Sequence, residues 1–181
     1  MSKNIIKYTI AIAFLVPAAG TSLAQHRHDS QSNTTSPYIQ QLDSSIRGLN
    51  SEEIENLING KGAGYARMAE LNSYPGPQHI LDLASELNLS PQQSQKIRQV
   101  FEQMKSEATG LGKNILIKEK QLSDAFASER ITEATLTEKT NELGQLYGEL
   151  RNIHLQAHLR ITPLLTSEQI EKYDQLRGYE S

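Results

Sequence analysis

The chain has 181 residues, a formal net charge of −3 and no cysteine. The missing thiols exclude a disulfide framework, a thiolate metal site, a cysteine nucleophile and the lipid-modified cysteine of a bacterial lipoprotein, and the acidic balance excludes nucleic acid, whose binding needs a basic surface to neutralise phosphates. With three Phe, seven Tyr and no Trp, Leu, Ile and Ala must do most of the packing, which suits helices meeting along narrow seams.

Lys3 and Lys7 make the amino terminus positive, and Ile10-Ala11-Ile12-Ala13-Phe14-Leu15-Val16 with Pro17 supplies a short apolar core. Ser22-Leu23-Ala24 puts small residues where a signal peptidase reads, so residues 1–24 are expected to be a signal peptide cleaved after Ala24 and the protein to be periplasmic. The apolar run falls short of the roughly 20 residues of a membrane span, and an uncleaved anchor is the competing reading. Residues 25–37 are polar and aperiodic, as in a disordered tether. His26 and His28 in that tether suit weak copper binding less well than a solvated tail.

Residues 38–74 read as short amino-terminal helices broken at Gly48, Gly60, Gly62 and Gly64, and Tyr74-Pro75-Gly76-Pro77 is a stiff break. Residues 75–178 read as the main body. A short helix from about Gln78 to Leu87 puts Ile80, Leu83, Ala84 and Leu87 on one face. Ser90-Pro91-Gln92-Gln93 then has a cap, a proline suited to the first helical position and a glutamine able to complete a capping box. Ile97, Phe101, Met104, Ala108, Leu111, Ile115, Lys118, Leu122 and Ala125 follow at alternating steps of four and three, a heptad seam with one charge in it. After a turn around Ser128 to Thr132, a second long helix carries Leu136, Thr140, Leu143, Tyr147, Leu150, His154, Ala157 and Ile161. Pro163 disturbs its end, and Leu165-Thr166-Ser167-Glu168-Gln169-Ile170 opens the last helix with a second capping box.

The expected fold is therefore all-α: a long antiparallel helical hairpin of about 50 Å with a short helix at each end, a four-helix hook. With the turn near residue 130, partners have numbers that sum to about 260. Lys118 then faces Glu142, and Gly112 faces Gly148. So narrow a hairpin leaves apolar surface to be covered by the end helices or by a second copy, so a homodimer is expected.

His154 and His158 lie four apart on one helix, a spacing that lets two imidazoles ligate one ion. Two half-buried rings packing by their faces are the alternative. The register sets residue 158 against Glu102, and folding the first short helix back brings His79 within a turn of it. His79, Glu102, His154 and His158 thus form a candidate site for Zn, Ni, Co or Cu, with Glu107 a rival carboxylate. No Gly-rich phosphate loop, GxSxG elbow or HExxH occurs, and no enzyme is expected.

Leu89-Ser90-Pro91-Gln92-Gln93 and Leu165-Thr166-Ser167-Glu168-Gln169 resemble the paired LTxxQ motifs of the periplasmic Spy/CpxP-like proteins, with Ser for Thr in the first copy. Residues 70–79 are similar to the lead-in of a metal-sensor branch. Nickel- and cobalt-sensing members bind through HxxxH, a Glu and HxxxM on successive helices. The resemblance implies His79, Glu102 and His154 as ligands, with His158 where the family has Met and Leu83 replacing one histidine. Two functions follow from it: a metal sensor or buffer working with a membrane-bound regulatory protein, or an ATP-independent holdase for unfolded clients.

Overall fold

Four helices begin with the same device, a side chain capping the third backbone amide while that residue's own side chain reaches back. Asn50 and Glu53 start α1 (Ser51–Asn59), and Ser90 and Gln93 start α4 (Pro91–Ala127). Thr132 and Thr135 start α5 (Glu133–Ile161), and Thr166 and Gln169 start α6 (Ser167–Arg177). Each box satisfies two amides that a helix start leaves without partners. α2 (Arg67–Glu70) and α3 (Pro77–Asp82) are single turns without a side-chain cap. The computed structural model describes residues 35–179, and there are no strands among them. The signal peptide expected over residues 1–24, and the tether as far as residue 34, lie outside the described residues. No described helix is long and apolar enough to cross a membrane.

α4 and α5 form the expected hairpin. Their 37 and 29 residues correspond to about 55 and 44 Å at 1.5 Å per residue. The turn at residues 128–132 is tight, with Glu129 at a φ of 55°. The register holds at the charged seam position, where Lys118 Nζ lies 2.6 Å from Glu142 Oε1. It does not bring the two glycines together. A Cβ on Gly148 would meet nothing within 4 Å, whereas one on Gly112 would lie 2.1 Å from the carbonyl oxygen of Leu57. The small residue on α4 therefore admits the backbone of α1 rather than that of α5. A seam repeat read from two helices could not anticipate a third helix lying in the groove between them.

Two cores result. The first joins Ile46, Leu49 and Leu57 of the amino-terminal segment to Ala108 and Ile115 of α4 and Leu143 and Leu150 of α5. The second, at the open end of the hairpin, gathers Ile80, Leu87, Ile97, Val100, Ala157, Ile161 and Tyr173. α3 is shorter than the apolar pattern suggested. It stops at Asp82, and residues 83–88 continue as turns ending on Asn88 at a φ of 49°, a conformation asparagine tolerates better than most residues. Leu87 still reaches the core, 2% exposed.

The second core is closed by the two capping glutamines. Gln93 Oε1 accepts from the Ser90 amide at 3.0 Å, and Gln169 Oε1 accepts from the Thr166 amide at 3.0 Å. Their amide nitrogens cross over: Gln93 Nε2 donates to the Leu164 carbonyl at 2.8 Å, and Gln169 Nε2 donates to the Leu87 carbonyl at 3.2 Å. The two amides also bond each other, at 2.8 and 3.3 Å. Each motif thus caps its own helix and satisfies a carbonyl just ahead of the other.

Candidate functional site

Between the two cores α5 carries its two histidines, both buried, at 2% and 6% exposed. His158 is oriented by its surroundings: Nδ1 lies 2.7 Å from the carbonyl oxygen of Tyr74. A carbonyl only accepts, so Nδ1 carries a proton, and in the neutral ring the lone pair is on Nε2. An imidazole whose second nitrogen is held by a backbone carbonyl is oriented as metal-ligating histidines are. The ring lies against Gly76, where a Cβ would come within 3.1 Å of His158 Cε1 and within 2.5 Å of Glu70 Oε1. Glycine is needed there because both side chains crowd the same side of the backbone. Glu70 is held in turn by the hydroxyl of Tyr173, which donates to its other oxygen. Burial, and then the Glu70 carboxylate, raise the pKa of that tyrosine, so it remains a donor.

His154 stacks on Tyr65 with ring centroids 5.9 Å apart and an interplanar angle of 10°. Its Nε2 is buried and has no hydrogen-bond partner. Burial, with His158 next to it, pushes its pKa down to about 4, so the ring is neutral at physiological pH. An orphaned buried nitrogen costs about 1–3 kcal/mol, which marks this position as one whose partner matters.

A cavity of about 790 Å³ opens here, with walls from residues 59–71, α3, α4, α5 and the end of α6. His79, His154 and His158 all line it, as do Glu70 and Met104. His79 is at its edge, 42% exposed, with Nδ1 4.0 Å from Asp82. Glu102 is exposed on α4 and outside the lining. Glu107 is also exposed, accepting from Gln103 Nε2 at 2.8 Å. Three of the four residues read from the sequence therefore share one cavity, and Glu70 is the carboxylate in its wall. Among the described residues no group of three or more His, Asp or Glu is gathered tightly enough to hold a metal. Glu70, Gly76 and Tyr173 escaped the sequence reading because no periodicity links a four-residue helix, a proline-rich break and the last helix. The one available signal was the lead-in Glu70-Leu71-Asn72-Ser73-Tyr74-Pro75-Gly76-Pro77, which carries two of the three.

The two motifs, their crossed glutamines and the hairpin between them coincide with a known family: the model of the LTXXQ motif family protein matches residues 76–177, more than half of the chain. The chain belongs to the LTXXQ motif family. No curated protein and no solved structure matches it. The LTXXQ match begins at the residue where Glu70 and His158 crowd the backbone. α1, α2 and the strap between them precede it, so one wall of the cavity comes from outside the family region and the other from within.

Proposed function

We propose that the protein is a periplasmic metal-binding protein of Spy/CpxP type, a sensor or buffer of a divalent transition metal held by His154 and His158. Membership of the LTXXQ family suggests the periplasmic, Spy/CpxP-like setting. The observation that carries the metal reading is the unpartnered, buried Nε2 of His154 in the same cavity wall as His158, whose lone pair is left on Nε2 by the Tyr74 carbonyl. Burial keeps the His154 ring in the neutral form that Zn, Ni, Co and Cu require. His79, half exposed at the cavity edge, supplies a third imidazole on turning inward. Glu70 is better placed than Glu102 for the carboxylate, since it lines the cavity. A bound ion would be a Lewis acid that ties α5 to the strap, which is how occupancy would reach a regulatory partner.

Calorimetric titration of the mature protein with Zn²⁺, Ni²⁺, Co²⁺ and Cu²⁺ tests this. One of them should bind at neutral pH, His154→Ala or His158→Ala should abolish binding, and Glu70→Ala should weaken it more than Glu102→Ala. The second reading is a holdase, favoured by the exposed apolar side chains Ile117, Phe126 and Leu159 along the hairpin. It takes first place if no metal binds and the His154/His158 double alanine variant still suppresses aggregation of a denatured client.

A further inference from the structure

We propose that the cavity between the amino-terminal strap and the hairpin binds a small organic carboxylate. Its volume, about 790 Å³, is that of a small-molecule site and far exceeds what a bare ion fills. Apart from the histidines, its charged lining favours an anion. Lys61 from the loop after α1, Arg67 from α2, Lys105 from α4 and Arg177 from α6 all line it. Glu70 is the one acid among the described lining residues, and the Tyr173 hydroxyl already occupies one of its oxygens. The whole chain is acidic, with a net charge of −3, so this collection of cations is a property of the fold rather than of composition. A concave wall of one sign concentrates oppositely charged ligands.

The four cations are also largely unspent. Among the described residues Lys61 alone of the four has a carboxylate within ion-pair distance, Glu55 at 2.8 Å, and both of those side chains are more than half exposed; Arg177 feels the charge of Glu70. Such a pair is worth little and exchanges readily. Lys105 lies instead over the Phe101 ring at 5.8 Å, and Arg177 over Tyr179 at 5.6 Å. Aromatic contacts orient these charges without neutralising them. Carboxylates match guanidinium and ammonium donors through charge-assisted hydrogen bonds. Phe101 and Met104, which also line the cavity, suit a carbon skeleton that inorganic anions lack. Because Lys61 and Arg67 precede the LTXXQ region while Lys105 and Arg177 lie within it, a bound anion would clamp one to the other.

The proposal does not rest on metal binding, and the two are separable. The mature protein is stripped of metal on a chelating resin, since soluble chelators are themselves polycarboxylates, and titrated with phthalate and with inorganic phosphate. Phthalate is expected to bind saturably, to raise the melting temperature, and to weaken with added salt. Arg67→Gln and Lys105→Gln should each weaken it about fivefold or more, while Lys120→Gln, a charge change elsewhere on α4, should leave it unaltered. All three side chains are exposed, and melting of the unliganded variants checks that they fold as the parent does. Absence of saturable phthalate binding overturns the proposal, as does equal affinity in Arg67→Gln, Lys105→Gln and Lys120→Gln. Phosphate binding as tightly as phthalate, or phthalate binding only after Zn²⁺ is added, also overturns it. The His154/His158 double alanine variant separates the readings: loss of metal binding with phthalate binding retained leaves the anion site standing by itself.

Discussion

The two cores of this protein are built by opposite means. At the open end of the hairpin, helices converge through polar detail: two capping boxes, two glutamines exchanging hydrogen bonds, and the buried Tyr173 hydroxyl on Glu70. Under α1 the contact is steric and apolar, with Leu57 in the core and its backbone resting where Gly112 has no side chain. Apart from Glu70, the first arrangement lies within the LTXXQ region, whereas the second needs a whole helix that precedes it. A shared hairpin can thus be closed at one end by motifs that label themselves in the sequence and covered along its length by an element that does not. The histidines sit where the two arrangements meet.

The largest effect is expected where the steric contact is tightest. Gly112→Leu should cost about 3 kcal/mol, at the upper end of overpacking penalties, because a side chain there drives α1 off the hairpin. Gly148→Leu should change stability by less than about 0.5 kcal/mol, since that site is open. Urea denaturation of the two variants checks both; equal losses would mean that α1 does not occupy the groove.

Acid should act at the junction. Burial, with His158 beside it, holds His154 near a pKa of about 4 in the folded state, below the ordinary value of 6.5. Between those values the unfolded chain takes up a proton that the folded ring refuses, so stability falls as pH drops through 6.5 toward 4 and this contribution levels off below. The full window amounts to about 3 kcal/mol. Denaturation of metal-free protein at pH 7.5, 5.5 and 4.5 should show a slope that His154→Gln removes; an unchanged slope would mean the ring is not buried as described.

At the polar end, Gln93→Leu and Gln169→Leu should each cost about 1–2 kcal/mol. The double variant should cost less than their sum, because each side chain loses its partner in either single variant. Strict additivity would show that the glutamines cap their own helices and nothing more. The smallest effect belongs to Lys118 and Glu142. Both side chains are partly exposed, so breaking the pair should cost about 0.5 kcal/mol or less and disappear at high salt.

The sequence by itself determined the helices, their starts, the hairpin turn and the register at Lys118 and Glu142, because caps, periodicity and turn residues act over a few neighbours in the chain. It also brought His79, His154 and His158 to one region, since helical spacing and antiparallel pairing carry that much geometry. Glu102 shows where such reasoning ends: register set it opposite His158, but it faces solvent, one position away from the half-buried Phe101. Only the tertiary structure decided that Gly112 admits α1, that Gly76 makes room for Glu70 beside His158, and that four cations from four segments share one cavity. Those are contacts between residues far apart in the chain, made by loops and a single-turn helix whose positions are set by packing, and no local pattern encodes where packing will put them.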